Sequence, residues 1–203
     1  MRGSLRRYAA LCVVLLLPLL LAAAAQKSPV AATPEKLIEG AREEVNRRPF
    51  YRSAYYSGGY PPANEGVCTD LIWRAFKHAG VDFKKLLDAD IRRNMAAYPR
   101  IKGKPDGNID FRRVPNQTAF FRRYAKTLDK KMIPGNDAVT ATWQPGDIAV
   151  FANPDHIAIL SDKRNEEGVP YLLHNQGPFA SEDDSFMAWY ERGIVAHFRI
   201  PAP

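Results

Sequence analysis

From Gln144 onward the chain is written in short apolar runs separated by turn residues, and this texture constrains the fold more than any other feature. Ile148 to Phe151, His156 to Ser161 and Tyr171 to His174 are too short for helices. Gln144-Pro145-Gly146-Asp147 precedes the first, and Asn165-Glu166-Glu167-Gly168 divides the last two. Runs of this length bounded by Gly, Pro, Asn and Asp read as consecutive antiparallel strands. Ile194 to Ile200 reads as a final strand, after an aromatic segment from Phe186 to Tyr190 that suits a helix.

The first half has a different period. Thr33-Pro34 supplies an N-cap and a proline at the first helical position, and Leu37, Ile38, Ala41 and Val45 follow as one apolar stripe. Arg47 to Asn64 is rich in Tyr, Ser, Gly and Pro and reads as loop. A helix is expected from Val67 to Ala79, stopped by Gly80, and another from Phe83 to Ala97, ended by Pro99. Asn116 suits the cap of a further helix carrying Phe120, Phe121, Tyr124 and Leu128. Helices first and strands later is the α+β pattern: N-terminal helices packed on a small antiparallel sheet.

The N-terminus falls outside that domain. Arg2, Arg6 and Arg7 precede an apolar run from Tyr8 to Leu21 and a block of alanines, the three-part pattern of a secretory signal peptide with a small-residue cleavage site before Gln26. The rival, a retained anchor, is disfavoured because the run is shorter than the roughly 20 residues that span a bilayer and holds Pro18. The expectation is a signal peptide over residues 1–25, one domain over 26–203, no stable membrane insertion after cleavage, and a periplasmic or secreted monomer. Cleavage takes three of the 29 Lys and Arg, which against 22 Asp and Glu leaves a charge of +4. That balance suits an anionic polymer or wall surface as partner. No aromatic-basic pattern points to nucleic acid.

Export sharpens the question of Cys68, the one cysteine beyond the leader. Exported proteins usually pair their cysteines. A lone one is an apolar filler, an intermolecular link or a reactive thiol. Cys68 stands where a Gly/Pro-rich loop turns into a helix. There the dipole and the unpaired first-turn amides would lower the thiol pKa and steady an oxyanion. A thiolate also needs a base, and four histidines are available. His78 lies ten residues along the same helix and cannot reach. His197 reads as a strand residue. His156 opens one strand and His174 closes the next, so an antiparallel pair brings them together, one as base and the other as its orienting partner. Asn175 is the alternative third residue, because a one-residue slip turns it to the other face. Zinc motifs pair closely spaced ligands, whereas Cys68, His156 and His174 are scattered singly, so no metal and no cofactor is expected.

These residues resemble the NlpC-like cysteine peptidases, papain-related hydrolases of bacterial cell-wall peptidoglycan. The matching parts are YSGGYPP from Tyr56, VCTDLIWRAFKHAGV from Val67, QPGDIAVF from Gln144, HIAIL from His156 and YLLHN from Tyr171. The resemblance implies a papain-like fold with Cys68 as nucleophile, His156 as base, His174 as orienting residue and the hydroxyl of Tyr56 beside the thiol. Val67 stands where that family has Asp and Asp70 where it has Gly, and the 88 positions from Cys68 to His156 exceed its usual spacing. The inserted DADIRRNMAAYP and NIDFRRVPNQTAFFRR, with HNQGP and AHFRI, look like the YijF-like branch of that superfamily. Arg112 and Arg113 are candidates for binding substrate carboxylates, or else form structural ion pairs, and Asp70 is a further candidate contact. The function expected is an exported cysteine hydrolase cutting an amide bond in peptidoglycan or another peptide. The alternatives are an acyltransferase and a catalytically inactive wall-binding module on the same fold.

Overall fold

A computed structural model describes residues 28–101, 103–153 and 155–203; the signal peptide expected over residues 1–25 lies outside the described residues. Helix α1 spans Pro34–Arg47, and the Thr33 side chain caps it by accepting from the Lys36 amide. Its apolar stripe buries Leu37, Ile38 and Ala41. The expected loop after it contains a two-residue strand, β1 (Phe50–Tyr51), which pairs in parallel with β2 (Glu65–Gly66). Then come α2 (Cys68–His78), α3 (Phe83–Arg93), 3-10 turns at Met95–Ala97 and Asp110–Arg112, α4 (Val114–Tyr124), β3 (Lys126–Thr127) and the short α5 (Asp137–Thr140). The strands β4 (Ile148–Phe151), β5 (His156–Arg164), β6 (Pro170–Asn175), β7 (Ala180–Asp183) and β8 (Ile194–Arg199) complete the chain, with α6 (Phe186–Arg192) before β8.

Three expectations change here. Helix α3 stops at Arg93 rather than Ala97, and Met95–Ala97 is a separate 3-10 turn. Helix α4 starts earlier than Asn116, with Arg113 at the cap and Pro115 in the first turn, and ends at Tyr124, short of Leu128. The Asn116 side chain instead joins two loops, donating to the Asp110 carbonyl and accepting from the Arg100 amide. The sheet also has more strands than the apolar runs showed. Its order is β3-β8-β4-β5-β6-β7, antiparallel throughout, and β7 is a polar edge strand.

Alternation sorts the sheet residues between two cores. Ile148, Val150, Ile157, Ile159 and Leu173 pack with Cys68, Leu71, Ile72, Phe76 and the other residues of α1 to α4. Ala149, Phe151, Ala158, Leu160 and Leu172 face the opposite way, against Trp143, Phe186 and Trp189. On the first side Phe76 stacks on Phe83 at 5.1 Å between ring centres, and on Phe121 at 5.9 Å. The sheet is therefore covered on both faces, and α2 carries Cys68 onto the side that holds Ile157.

Candidate active site

Cys68 is the first residue of α2, after Val67 in an extended conformation. The helix start is fixed from within: Asp70, three residues after the cap, accepts from the Val67 amide at 2.8 Å. Its two oxygens also take Trp73 Nε1 at 2.9 Å, Arg112 Nε at 2.7 Å and Arg112 Nη2 at 2.8 Å. Arg112 gives Nη1 to the Ala54 carbonyl and lies 4.9 Å from the Tyr56 ring centre. Both charges are buried, so Asp70 and Arg112 are not open to a substrate; they are an ion pair that clamps the 54–56 loop and the 110–112 turn to the cysteine helix. Arg113 is part exposed, its Nε 3.6 Å from Asp110, and it alone of the three remains reachable. Gly66 packs closely here: a Cβ there would sit 3.2 Å from that of Asp70 and 3.3 Å from Arg74 Nη1, so both would have to give by a few tenths of an ångström.

The thiol environment differs from the expectation. Burial pushes the Cys68 thiol up to about 12, and the amides of Ile157, Thr69 and Cys68 itself, all aimed at the sulfur, offset this only in part. Asp70 adds to the rise. The helix start is present, but desolvation outweighs it. Tyr56 is not the tyrosine at the thiol, because its hydroxyl donates to Glu65 Oε2 at 2.7 Å. Tyr51 is the tyrosine whose hydroxyl feels the charge of the thiol. Burial raises its hydroxyl pKa first, and the nearby Cys68 and Asp70 raise it further. The two-residue strand β1 puts it there, with Tyr51 registered against Gly66.

His156 and His174 do meet. His156 Nε2 lies 2.8 Å from His174 Nδ1, and His174 Nε2 lies 3.2 Å from both oxygens of Asp183. Ser181 donates to Asp183 at 2.6 Å, and Ser185 Oγ stands 3.4 Å from His174 Nε2. Burial alone would raise the Asp183 pKa, but hydrogen bonds from His174, Ser181 and Ser185 hold it well below the usual carboxylate range. Burial pushes His156 down to about 2, His174 and Arg192 act the same way, and Asp183 opposes them. A carboxylate only accepts, so His174 Nε2 carries the proton toward Asp183. His174 Nδ1 is then an acceptor, His156 Nε2 is its donor, and His156 Nδ1 is left as a free lone pair. Asp183 sits on β7, where His174 pairs with Ser181 and the alternation brings Asp183 to the same face.

Asn175 plays no part in this chain of bonds. Its amide donates to the Pro49 and Gly66 carbonyls, each at 3.2 Å, and ties β6 to the loop before Cys68. Nor does His156 bond the thiol: its ring packs with Trp189 and Phe151, while the sulfur meets the amide of the next residue, Ile157. His197 is more than a strand residue. It is buried, with Nε2 2.8 Å from Asp147 and Nδ1 2.9 Å from the Asp129 carbonyl, stacked on Trp143. A cleft of about 940 Å³ opens around Trp73, Lys77 and Lys84, at the other end of α2, and Cys68 does not line it. Among the described residues no group of three or more His, Cys, Asp and Glu is arranged to hold a metal ion, and no helix is long and apolar enough to cross a membrane.

Comparison with known proteins agrees with the likeness to YijF read from the sequence, and it does not extend to the NlpC-like peptidases. The chain is 36% identical over 179 residues to the uncharacterized protein YijF of Escherichia coli (strain K12), covering 83% of this chain and 82% of that one. No solved structure matches. Residues 38–200, which hold Cys68, His156, His174 and Asp183, match the model of a domain of unknown function, DUF1287. The chain belongs to the DUF1287 family.

Proposed function

We propose that the protein is a cysteine hydrolase of papain-like, NlpC-like fold that cuts an amide bond in cell-wall peptidoglycan, outside the cytoplasm. One observation carries the reading: the His156–His174–Asp183 chain, at 2.8 and 3.2 Å, starts beside the residue whose amide touches the Cys68 sulfur. Chains of this kind fix the tautomer of a general base. In the reaction the thiol proton passes to His156 Nδ1 through a bridging water at the end of β5, because the ring lies on the Phe151–Trp189 face of the sheet and Cys68 on the other, and the sulfur attacks the carbonyl carbon. The oxyanion is met by amides at the start of α2. The C–N bond breaks as His156 returns the proton to the leaving amine, which leaves a thioester on Cys68. Water, deprotonated by His156, then releases the acid and restores the thiol. The positive charge of the chain beyond the leader suits an anionic wall.

Purified protein incubated with peptidoglycan fragments tests this. New free amines and product masses that rise by one water per cut are expected from wild type and not from Cys68→Ala; equal cleavage by the two would sink the proposal. A second reading has an observation of its own. Cys68 is only 6% exposed, burial keeps its thiol protonated, and the groups that act on the sulfur are backbone amides and Asp70, with no imidazole among them. That favours a wall-binding module without catalysis, which predicts wall retention, no cleavage, and iodoacetamide reactivity at Cys68 no greater than that of a free thiol.

A further inference from the structure

Helix α6 belongs to no motif used so far, yet it delivers one side chain onto the base. The Trp189 indole lies 4.0 Å from the His156 ring centre with the planes 14° apart, a face-to-face stack. The indole is itself held in place: its Nε1 donates to Gln176 Oε1 at 3.1 Å, and the Arg192 guanidinium lies 4.7 Å from its ring centre. Gln176 follows His174 by two residues, so one short segment fixes both the hydrogen-bond partner of His156 and the aromatic plate on its face.

From this we infer that Trp189, locked by Gln176, is a positioning residue for His156: it fixes the plane in which Nε2 meets His174 and covers one face of the ring. The inference rests on the hydrolase reading for its purpose but not for its geometry. An imidazole with one nitrogen bonded still swings about its χ angles, and one hydrogen bond does not set the direction of the other nitrogen. A parallel plate at 4.0 Å removes that freedom, and so determines where Nδ1 points.

Two effects of the plate on the charge of His156 oppose each other, and their sizes decide the outcome. The π face favours the imidazolium, by an amount that shifts a midpoint about one pH unit. Burial, to which the plate contributes, disfavours it and is the largest of the influences that, with His174 and Arg192, take the ring from 6.5 down to about 2. Desolvation is the larger. The other groups facing the ring are His174 from β6, Asp183 from β7, Arg192 from α6 and Phe151 from β4, with the Cys68 thiol at the neighbouring Ile157 amide. Arg192 and Phe151 also pack on Trp189 and are loosened with it, while His174 and Asp183 keep their places; removing the plate relieves the burial and moves His156 up toward its ordinary value.

The test is the ¹⁵N spectrum of the histidine rings, followed with pH in substrate-free protein. Wild type is expected to show a single His156 tautomer, protonated at Nε2, with no titration above about pH 4. In Trp189→Ala the midpoint is expected to rise by more than about one pH unit and both tautomers to appear, while Trp189→Phe, which keeps a plate, stays close to wild type. Gln176→Ala leaves the core intact and is expected to loosen the stack to a smaller degree, with Gln176→Glu, which keeps the acceptor, restoring it. Unchanged His156 tautomer and midpoint in Trp189→Ala would overturn the inference. If that variant fails to fold, the same result in Gln176→Ala does so. An inert Cys68 with these shifts present would count against the hydrolase reading and leave the positioning role standing.

Discussion

Replacing Asp70 by alanine tests the account of how the cysteine helix is held. Asp70 is wholly buried and accepts four hydrogen bonds, from the Val67 amide, Trp73 Nε1 and two nitrogens of Arg112. The Arg112 side chain is only 2% exposed. Asp70→Ala therefore strands a guanidinium away from water and leaves the first turn of α2 without its cap. Breaking a buried pair by deleting one partner costs about 3–5 kcal/mol. For a domain of this size that corresponds to a fall in Tm of roughly 6–20 °C. The exposed pair Arg100–Asp155, at 52% and 48% exposure, is the control, and Asp155→Ala is expected to cost about 1 kcal/mol or less. Urea unfolding of both variants measures this, with Asp70→Ala/Arg112→Met as a third chain. The double variant should recover part of the loss, because it removes the stranded charge. If Asp70→Ala cost under about 1 kcal/mol, the clamp would not be what holds the helix start, and Asp70 and Arg112 would again be candidates for binding substrate.

Three more outcomes follow from the same coordinates. Gly66→Ala brings a Cβ to 3.2 Å from Asp70 and 3.3 Å from Arg74, and should cost about 1–3 kcal/mol by urea unfolding. Asp183→Asn keeps the shape but can donate to His174 Nε2, which reverses the tautomers along the chain and protonates His156 Nδ1; kcat/KM for wall fragments should fall on the order of 10²–10⁴-fold with KM little changed. For pH, the His156 pKa is lower in the folded state than in the unfolded one, so the unfolded chain binds the extra proton. Stability is then full above the unfolded value of 6.5 and declines as pH falls toward about 2, by up to about 1.4 kcal/mol per pH unit. His156→Gln should flatten that decline between pH 6.5 and 4, and an unchanged slope would show that His156 is not buried neutral.

Strands β4, β5 and β6 were legible because apolar runs and turn residues mark them, and the helical stripes of α1 and α2 were equally plain. Edge strand β7 was not. Its residues Ala180–Asp183 are mostly polar and half-buried, so no apolar alternation announces them, and Asp183 went unseen with them. The one signal was Ser181 and Asp183 at alternate positions after a strand ending in a histidine. The β1–β2 pair joins residues fifteen apart in parallel, a non-local pairing that a Tyr/Gly/Pro-rich stretch does not encode, and Tyr51 therefore yielded its place to Tyr56 in the reading of the sequence. The opposite charges of Asp70 and Arg112 were visible, but not that they are partners, since 42 residues separate them. A helix start at Cys68 was legible; the depth at which packing against Ile157 would bury the sulfur was not, because it depends on how α2 lies against β5.

The central claim is that Cys68 becomes acylated by its substrate. Mixing wild-type protein with peptidoglycan fragments, quenching in acid within milliseconds to seconds and weighing the intact protein tests it most directly. A transient added mass equal to an acyl fragment is expected, mapped to the peptide that holds Cys68, absent from Cys68→Ala and longer-lived in His156→Gln. Cleavage of the wall with no adduct at any time, or an adduct on a residue other than Cys68, would contradict it.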